Sequence, residues 1–488
     1  MPANSLVMGV DVGTQGARVV VADARGQVLA RAAQEFARVA IADLPPGHLE
    51  QNPADWWEAA RACVLSVVAQ LRAQSRDARE IVAGAVDSTS GTVLLLDASG
   101  QALRPALMYN DRRAGSEADE INAVSREFCE KVGYRFNSSF ALPKILWLAR
   151  HEPQHWARTK YVAHAADYIV GQLTGVFDVS DQSNSLKSGF DLVDFQWPDF
   201  IETNLEIERA RLPRVLRSGE TIAPISRAGA AATNLATSTA ITAGMTDGAA
   251  DQVASGAHRS GDWNTVLGTT ITLKGLTREL LKDPLGRVYC HLHPLGYWMP
   301  GGAGNVGARV LDEWFPDVDK IAYGRAALAL SPTPLTIYPL TQKGERFPFN
   351  KPDAVGFSEG TARGETELYA AHLEGVACTE RLAYDVVMEL GAEVNERIYT
   401  TGGGARSLEW MQIRADILGR ELARAANADA AMGGAIIAAS QTLFDDIAEA
   451  TARMVQIDRV VAPRAELAPR YQELYQRFLV ALRQRDYI

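Results

Sequence analysis

Met8-Gly-Val-Asp-Val-Gly-Thr-Gln-Gly-Ala-Arg-Val-Val-Val-Ala-Asp23 is an apolar strand that runs into Asp11, turns through Gly13-Thr14-Gln15-Gly16 and returns as a second strand. The tip of such a hairpin offers backbone N–H groups and a hydroxyl beside one carboxylate. Glycines let the backbone approach an anion closely, so the tip suits a phosphate. Asp11 then stands where a magnesium ion, or its water shell, bridges to a nucleotide. Many hairpins turn on glycine for structural reasons alone, and this segment by itself leaves both readings open. A second copy weighs for the phosphate. Asn264-Thr-Val-Leu-Gly-Thr-Thr-Ile-Thr-Leu-Lys274 again runs strand, Gly-Thr turn, strand, with β-branched residues on both sides of Gly268. Two such hairpins about half a chain apart suggest a duplicated unit, and 488 residues are enough for two domains of similar size.

The composition is that of an ordinary globular protein, 47% hydrophobic and 22% charged. Forty-nine Lys and Arg against 59 Asp and Glu give a formal charge of −10. Without a basic run, this chain is a poor electrostatic partner for nucleic acid or an anionic membrane. Cys63, Cys129, Cys290 and Cys378 are far apart and form no CxxC, which reads as free thiols of a reduced compartment. The first apolar run has no basic segment before it and ends at Asp11, so it reads as a strand and not a signal peptide. Ala430 to Phe444, the most apolar later stretch, is shorter than the ~18 residues of a spanning helix and contains Gly433-Gly434. The expected location is the cytoplasm.

Periodicity supplies the organisation. Arg25-Gly26-Gln27 turns into a third strand. Asn52-Pro53 then starts a helix with a capping Asn and a proline at its first position; Trp56, Trp57, Ala60, Val64 and Val67 form its apolar stripe. Ile81-Val-Ala-Gly-Ala-Val86 is a strand leading into Asp87-Ser-Thr-Ser-Gly-Thr92, and Val93 to Asp97 is another. Strands alternating with helices of this length predict an α/β architecture. The glycine-studded stretch Ala243 to Gly256 marks the expected junction between domains 1–256 and 257–488. A final helix from about Pro469 carries Tyr471, Leu474, Tyr475, Phe478, Leu479 and Leu482 on one face.

Two constellations carry chemistry. Asp247, in Gly244-Met-Thr-Asp-Gly248, is a carboxylate at an apparent helix start, where the helix dipole keeps it ionised and able to accept a hydroxyl proton. Simple N-capping is the competing reading, and Asp251, one turn further on, is the second candidate. Thr400-Thr-Gly-Gly-Gly-Ala-Arg-Ser-Leu-Glu-Trp410 places three glycines between a strand and a helix, which permits close approach to a flat ligand or a phosphate, or makes a tight turn. Two further patterns fail. Gly302-Ala-Gly-Asn-Val-Gly307 fits GxGxxG but follows only a short strand deep in the chain, so it is no Rossmann site, although it suits a phosphate by another geometry. His151-Glu-Pro-Gln-His155 fits HExxH, but Pro153 breaks the helix that zinc chemistry needs. No GxxxxGK[S/T] is present, which excludes P-loop kinases.

Asp11-Val-Gly-Thr14 with Arg18, Trp56-Trp57, Met108-Tyr-Asn-Asp-Arg112, Asp247, Gly268-Thr269-Thr270 and Gly402-Gly-Gly-Ala-Arg-Ser407 occur in the order found in FGGY carbohydrate kinases. The chain resembles that family over nearly its whole length. The resemblance implies two ribonuclease-H-like domains of the actin-like ATPase superfamily, with ATP-magnesium and a sugar in the cleft between them. It makes residues 1–256 the sugar-binding domain with the catalytic base and 257–488 the ATP-binding domain. Asp247 resembles the base, and Asp11 with Thr14 the metal and phosphate site, Asp11 acting through water. Gly13, Thr14, Gly268, Thr269, Gly304 and Asn305 would line the phosphates, with Gly403, Gly404 and Ser407 near adenosine.

The 88–92 loop bears on the sugar. Xylulokinases have Met-His-Gly where this chain has Thr89-Ser90-Gly91, and glycerol kinases have an Arg-Glu pair. Asp87 to Thr92 and Tyr338-Pro-Leu-Thr-Gln-Lys-Gly-Glu-Arg-Phe-Pro348 look more like the D-ribulokinase branch, once labelled xylulokinase-like. The expected reaction is therefore phosphorylation of D-ribulose to D-ribulose 5-phosphate, with Ser90, Asp111 and Asp247 as sugar contacts. D-xylulose, or another ketose or polyol, is the alternative substrate. The different-class alternative is a non-kinase actin-like ATPase, against which Asp247 and the Met108–Arg112 loop argue. ATP, magnesium and a small sugar are the implied partners, with neither nucleic acid nor membrane, and a homodimer is left open.

Overall fold

The computed structural model describes residues 5–488, and the chain divides into two compact units. The first runs to Ala254 and takes in His291–Gly296 and Asp429–Val455; the second comprises Ser255–Cys290, Tyr297–Ala428 and Gln456–Ile488. The compact units are thus not two consecutive segments, since two later stretches fall in the first. The chain crosses back at Asp429 and gives the first unit 27 late residues, Asp429–Val455.

In the first unit, β1 (Leu6–Val12), β2 (Gly16–Asp23), β3 (Val28–Glu35), β4 (Ile81–Ser88), β5 (Thr221–Pro224) and β6 (Ala240–Thr242) form one sheet in the order β5-β6-β4-β1-β2-β3. The first hairpin is in register from Leu6↔Asp23 to Val12↔Ala17, while β1 pairs parallel with β4 and sets Asp11 beside Asp87. Every residue of β1 is buried, as expected for a central strand covered on both faces. Helices α1 (Pro53–Ala73), α2 (Ala141–His151), α3 (Asp247–Ala254) and α4 (Ala430–Ala439) belong to this unit. Asn52 caps α1 by accepting from the Ala54 amide, and Trp56, Ala60, Val64 and Val67 point into the core while Trp57 is only half-buried. The helix α2 ends at His151 and a separate turn begins at Pro153, so the two histidines of the HExxH pattern never share a helical face.

The apolar stretch Ala430 to Phe444 becomes α4, buried on all sides and laid directly on β1 and β4. Its approach depends on glycine. A Cβ on Gly9 would stand 1.8 Å from the Ala431 carbonyl oxygen, and one on Gly434 would stand 3.2 Å from the Gly9 Cα.

The second unit repeats the frame. Its strands are β7 (Trp263–Leu267), β8 (Ile271–Gly275), β9 (Tyr289–Leu292), β10 (Trp298–Ala303), β11 (Arg397–Thr401), β12 (Glu421–Ala425) and β13 (Ile457–Val461), ordered β9-β10-β8-β7-β11-β12-β13. From β10 onward the pairings run antiparallel, antiparallel, parallel, parallel, antiparallel. Reading the first sheet from β3 gives the same series. The duplication suggested by the two hairpins is thus a duplication of whole sheets, each of ribonuclease-H-like topology. Helices Glu365–Glu389 and Leu408–Leu418 are tied by a fully buried Arg414–Glu380 ion pair at 2.7 Å. The last helix, Ala468–Gln484, buries Tyr471, Leu474, Tyr475, Phe478 and Leu482.

Among the described residues no helix is long and apolar enough to cross a membrane. All four cysteines are free thiols; three are buried and Cys129 is half-buried. Gly9→Ala should destabilise the protein by about 3 kcal/mol through overpacking against the α4 backbone, and chemical denaturation followed by tryptophan fluorescence would measure the loss.

Candidate active site

Five carboxylates of the first unit act on one another. Asp11 ends β1, Asp87 ends β4, Asp247 opens α3, Asp251 lies one turn further along α3, and Asp429 caps α4 through the Met432 amide. Asp11 is held by Arg18, its neighbour across the hairpin, at 2.9 Å through Oδ2. Its Oδ1 and both oxygens of Asp87 are buried without a hydrogen-bond donor. Burial, followed by the charge of Asp11, pushes the Asp87 carboxyl well above the usual carboxylate range. Burial raises Asp251 in the same way, with Asp247 adding to it, and raises Asp11 despite Arg18. Two adjacent buried acids resist ionising together, and Asp87, the more strongly raised, is the one disposed to stay protonated.

This donor set fits a divalent cation in one specific sense. The orphaned Asp11 Oδ1 is a hard oxygen donor turned into a negatively charged recess, which suits magnesium carried in by a nucleotide. Among the described residues no three His, Cys, Asp or Glu are grouped so as to hold a metal alone. Substrate oxygens would therefore have to complete the coordination.

The hairpin tip beside Asp11 is fixed from outside. The Gly13 amide donates to the Gly16 carbonyl at 3.0 Å. Gln51 Nε2 donates to the Thr14 carbonyl at 2.8 Å, while Trp56 Nε1 donates to Gln51 Oε1 at 2.7 Å. The buried Trp56 thus orients Thr14 through one side chain. Asp247 is partly exposed, and its Oδ1 accepts from the Gly248 amide at 2.6 Å, as a carboxylate at a helix start does. The loop before it is locked to the sheet. A Cβ on Gly244 would lie 1.9 Å from the Val86 carbonyl oxygen, and Thr246 forms a bridge with Ser88. Ser90 follows two residues after that bridge, and its hydroxyl oxygen is buried with no partner.

Asp111, expected at the sugar, is held within the protein by its own neighbours. It is fully buried and accepts from the Leu49 amide at 2.6 Å and from Arg113 through both oxygens. Burial alone would raise its carboxyl, but the Arg113 bonds hold it below the ordinary range. Its visible work is to anchor Arg113, which also reaches Glu50 at 2.7 Å.

In the second unit the glycine-lined turns gather at the ends of β7, β10 and β11. The Gly268 amide donates to the Thr270 carbonyl at 3.0 Å, and the carbonyls of Gly268 and Thr269 accept from the Ala308 and Arg309 amides. Gly304 donates to the Ile271 carbonyl, and Asn305 is pinned by Glu345 through its amide at 2.6 Å and by Gly344 through its side chain at 2.9 Å. Gly402 has φ +84° and, like Gly404, is pressed against Leu267, whereas a Cβ on Gly403 would meet open space. Ser407 caps the helix that follows by accepting from Trp410. Of the nine residues expected at a nucleotide, the seven in this unit lie on its neighbouring turns, with Gly403 the most open, while Gly13 and Thr14 lie in the first unit.

Asp87 and Asp429 are absent from the residues expected from sequence, and Asp251 holds second place there. A local signal for Asp87 exists: Ile81 to Asp87, an apolar strand with an internal glycine ending in aspartate, repeats the pattern of Leu6 to Asp11.

Comparison with known proteins supplies the family. Residues 6–254 match the N-terminal domain, and 263–443 the C-terminal domain, of the FGGY family of carbohydrate kinases. The chain belongs to the FGGY family of carbohydrate kinases, which makes it an ATP-dependent sugar kinase and sets aside the non-kinase ATPase. Xylulose kinase of Escherichia coli (strain K12) is 29% identical over 428 residues, 86% of each chain. The xylulose kinase structure from Rhodospirillum rubrum covers 98% of each chain with a TM-score of 0.85 at 26% identity. A gluconate kinase from Lactobacillus acidophilus, at 21% identity, shares the fold with a TM-score of 0.86.

The neutral state of Asp87 has a measurable consequence. In the unfolded chain Asp87 ionises above about pH 4, whereas the folded protein keeps its proton, so the group costs stability as pH rises through that value. Asp87→Asn should raise the melting temperature of the nucleotide-free protein at pH 7 by roughly 2–4 °C. The gap should close near pH 4, and a lower melting temperature at pH 7 would show Asp87 to be ionised and paired.

Proposed function

We propose that this kinase transfers the γ-phosphoryl group of ATP to the terminal primary hydroxyl of a ketopentose, D-ribulose, giving D-ribulose 5-phosphate. The observation that carries the reading is the pairing of two groups on one locked scaffold. The Thr246–Ser88 bridge joins the loop bearing Asp247 to the loop bearing the unpartnered Ser90 hydroxyl. In this reading Asp247 accepts the proton of the attacking hydroxyl, its charge favoured by the start of α3. Ser90 donates to or accepts from a sugar hydroxyl, and Asp111 acts indirectly by fixing the 108–113 loop through Arg113. In the same reading Gly13, Thr14 and Asp11 serve the phosphates from the first unit; Gly268, Thr269, Gly304 and Asn305 serve them from the second, with Gly403, Gly404 and Ser407 toward adenosine. Magnesium bound with the nucleotide would neutralise phosphate charge, Asp11 holding it through water.

Thr89 and Ser90 support D-ribulose, because this loop offers only short hydroxyls with no imidazole or cation in its side chains. Thr89 already bonds Thr92 at 3.0 Å, which leaves Ser90 as the adaptable group. The names of the relatives favour D-xylulose as the second reading. The two sugars differ only in the configuration of one carbon, C3, so the direction of a single hydroxyl separates them.

A coupled ADP-release assay with ATP-magnesium and D-ribulose, D-xylulose, L-ribulose, ribitol or glycerol, against a blank without sugar, tests the substrate. The highest kcat/KM is expected with D-ribulose; a preference for D-xylulose would overturn that choice and keep the mechanism. Asp247→Asn should lower kcat by ~10² or more while sugar and ATP binding persist, and near-normal turnover would remove Asp247 from the mechanism.

A further inference from the structure

The 88–92 loop is held by two lysines. Lys144, on the first turn of α2, is wholly buried, and its ammonium donates to three backbone carbonyls: Phe140 at 3.1 Å, Gly91 at 3.3 Å and Tyr109 at 3.4 Å. These carbonyls belong to three separate segments, the start of α2, the 88–92 loop and the 108–112 loop. Lys187, also buried, donates to the adjacent carbonyl of Ser90 at 3.4 Å and rests over the Phe140 ring. Successive carbonyls of Ser90 and Gly91 are therefore each drawn to an ammonium. Gly91 fits between them at φ +91°, where a Cβ would meet the Ser139 carbonyl oxygen at 2.5 Å and the Lys187 chain at 3.0 Å.

Among the described residues no carboxylate forms an ion pair with Lys144. Asp111, the acid that acts on it, is already paired with Arg113 at 2.8 Å. Burial, together with the charge of Lys187, brings its pKa down to about 7. A methionine would fill the same volume without an ammonium taken out of water. What methionine lacks is a tripod of donors able to fix two loops against one helix.

We propose that Lys144 is a positioning residue for the sugar: its ammonium, assisted by Lys187, sets the 88–92 loop against the 108–112 loop and so aims the Ser90 hydroxyl at the substrate. This rests on the reading that the 88–92 loop receives the sugar. The restraint on the loop itself does not depend on that reading, and the two are separable by experiment.

The test uses the full-length protein and Lys144→Met. Hydrogen–deuterium exchange without any ligand should show faster exchange at amides 89–93 in the variant, with no change in the helix Glu365–Glu389 of the second unit. Unchanged exchange at 89–93 would overturn the restraint whatever the substrate proves to be. In the kinase assay, KM for the preferred sugar should rise about tenfold or more, as for a lost charged hydrogen-bonding group, while KM for ATP stays within about twofold. A parallel rise in both KM values, or a fall in kcat alone, would overturn the positioning role. Lys187→Met, which frees only the Ser90 carbonyl, should shift loop exchange and sugar KM in the same direction by less, and it carries the test if Lys144→Met fails to fold. Absence of turnover on every sugar by the unaltered protein would count against the sugar assignment of the loop, with the exchange comparison still deciding the restraint.

Discussion

The first unit depends on the close meeting of α4 with β1, where the Ala431 carbonyl occupies the space a side chain on Gly9 would need. Much of the acidic recess follows from that approach. With no side chain between them, the helix and the sheet bring Asp429 at the helix cap near Asp11 at the strand end. Gly434 leaves room beside the Asp87 carboxyl, which a Cβ there would approach to 3.0 Å. Asp11 and Asp87 are buried there and Asp251 is half-buried, so their carboxyls interact at reduced dielectric and burial raises all three. A cluster of buried carboxylates of this kind costs stability, which the ion pair of Arg18 with Asp11 offsets in part.

The two sheets share one pairing series, yet their tips have diverged in chemistry. In the first, the strand ends carry Asp11 and Asp87; in the second, the corresponding β7 and β11 run into Gly268 and the glycines at 402–404. One frame thus presents charge and hydroxyls, and the other presents bare backbone. Bare backbone suits phosphates and flat rings, which need close approach more than they need counter-charge.

Legibility in the sequence followed the range of the interaction. Both hairpins, the Asn52-capped helix, the helix start at Asp247 and the break at Pro153 are written in neighbouring residues, where period and turn chemistry act. The return of Asp429–Val455 to the first unit was not legible, because it is decided by contacts across some 420 residues; its one local trace is Gly433-Gly434 inside an otherwise apolar helix. Asp87 could have been found from its likeness to Asp11. Asp111 is expected as a sugar contact through the family resemblance, and only the fold shows that Arg113, two residues on, engages both of its oxygens.

The late return of the chain also orders events during synthesis. The face of β1 and β4 that α4 covers stays open until residue 439 has been made, by which time most of the second unit already exists. Neither unit is therefore complete until late, the first at Val455 and the second with its last helix, and a fragment ending near residue 254 would leave that apolar face bare to solvent. In a cell this face would be the natural point of engagement for a chaperone until the helix arrives.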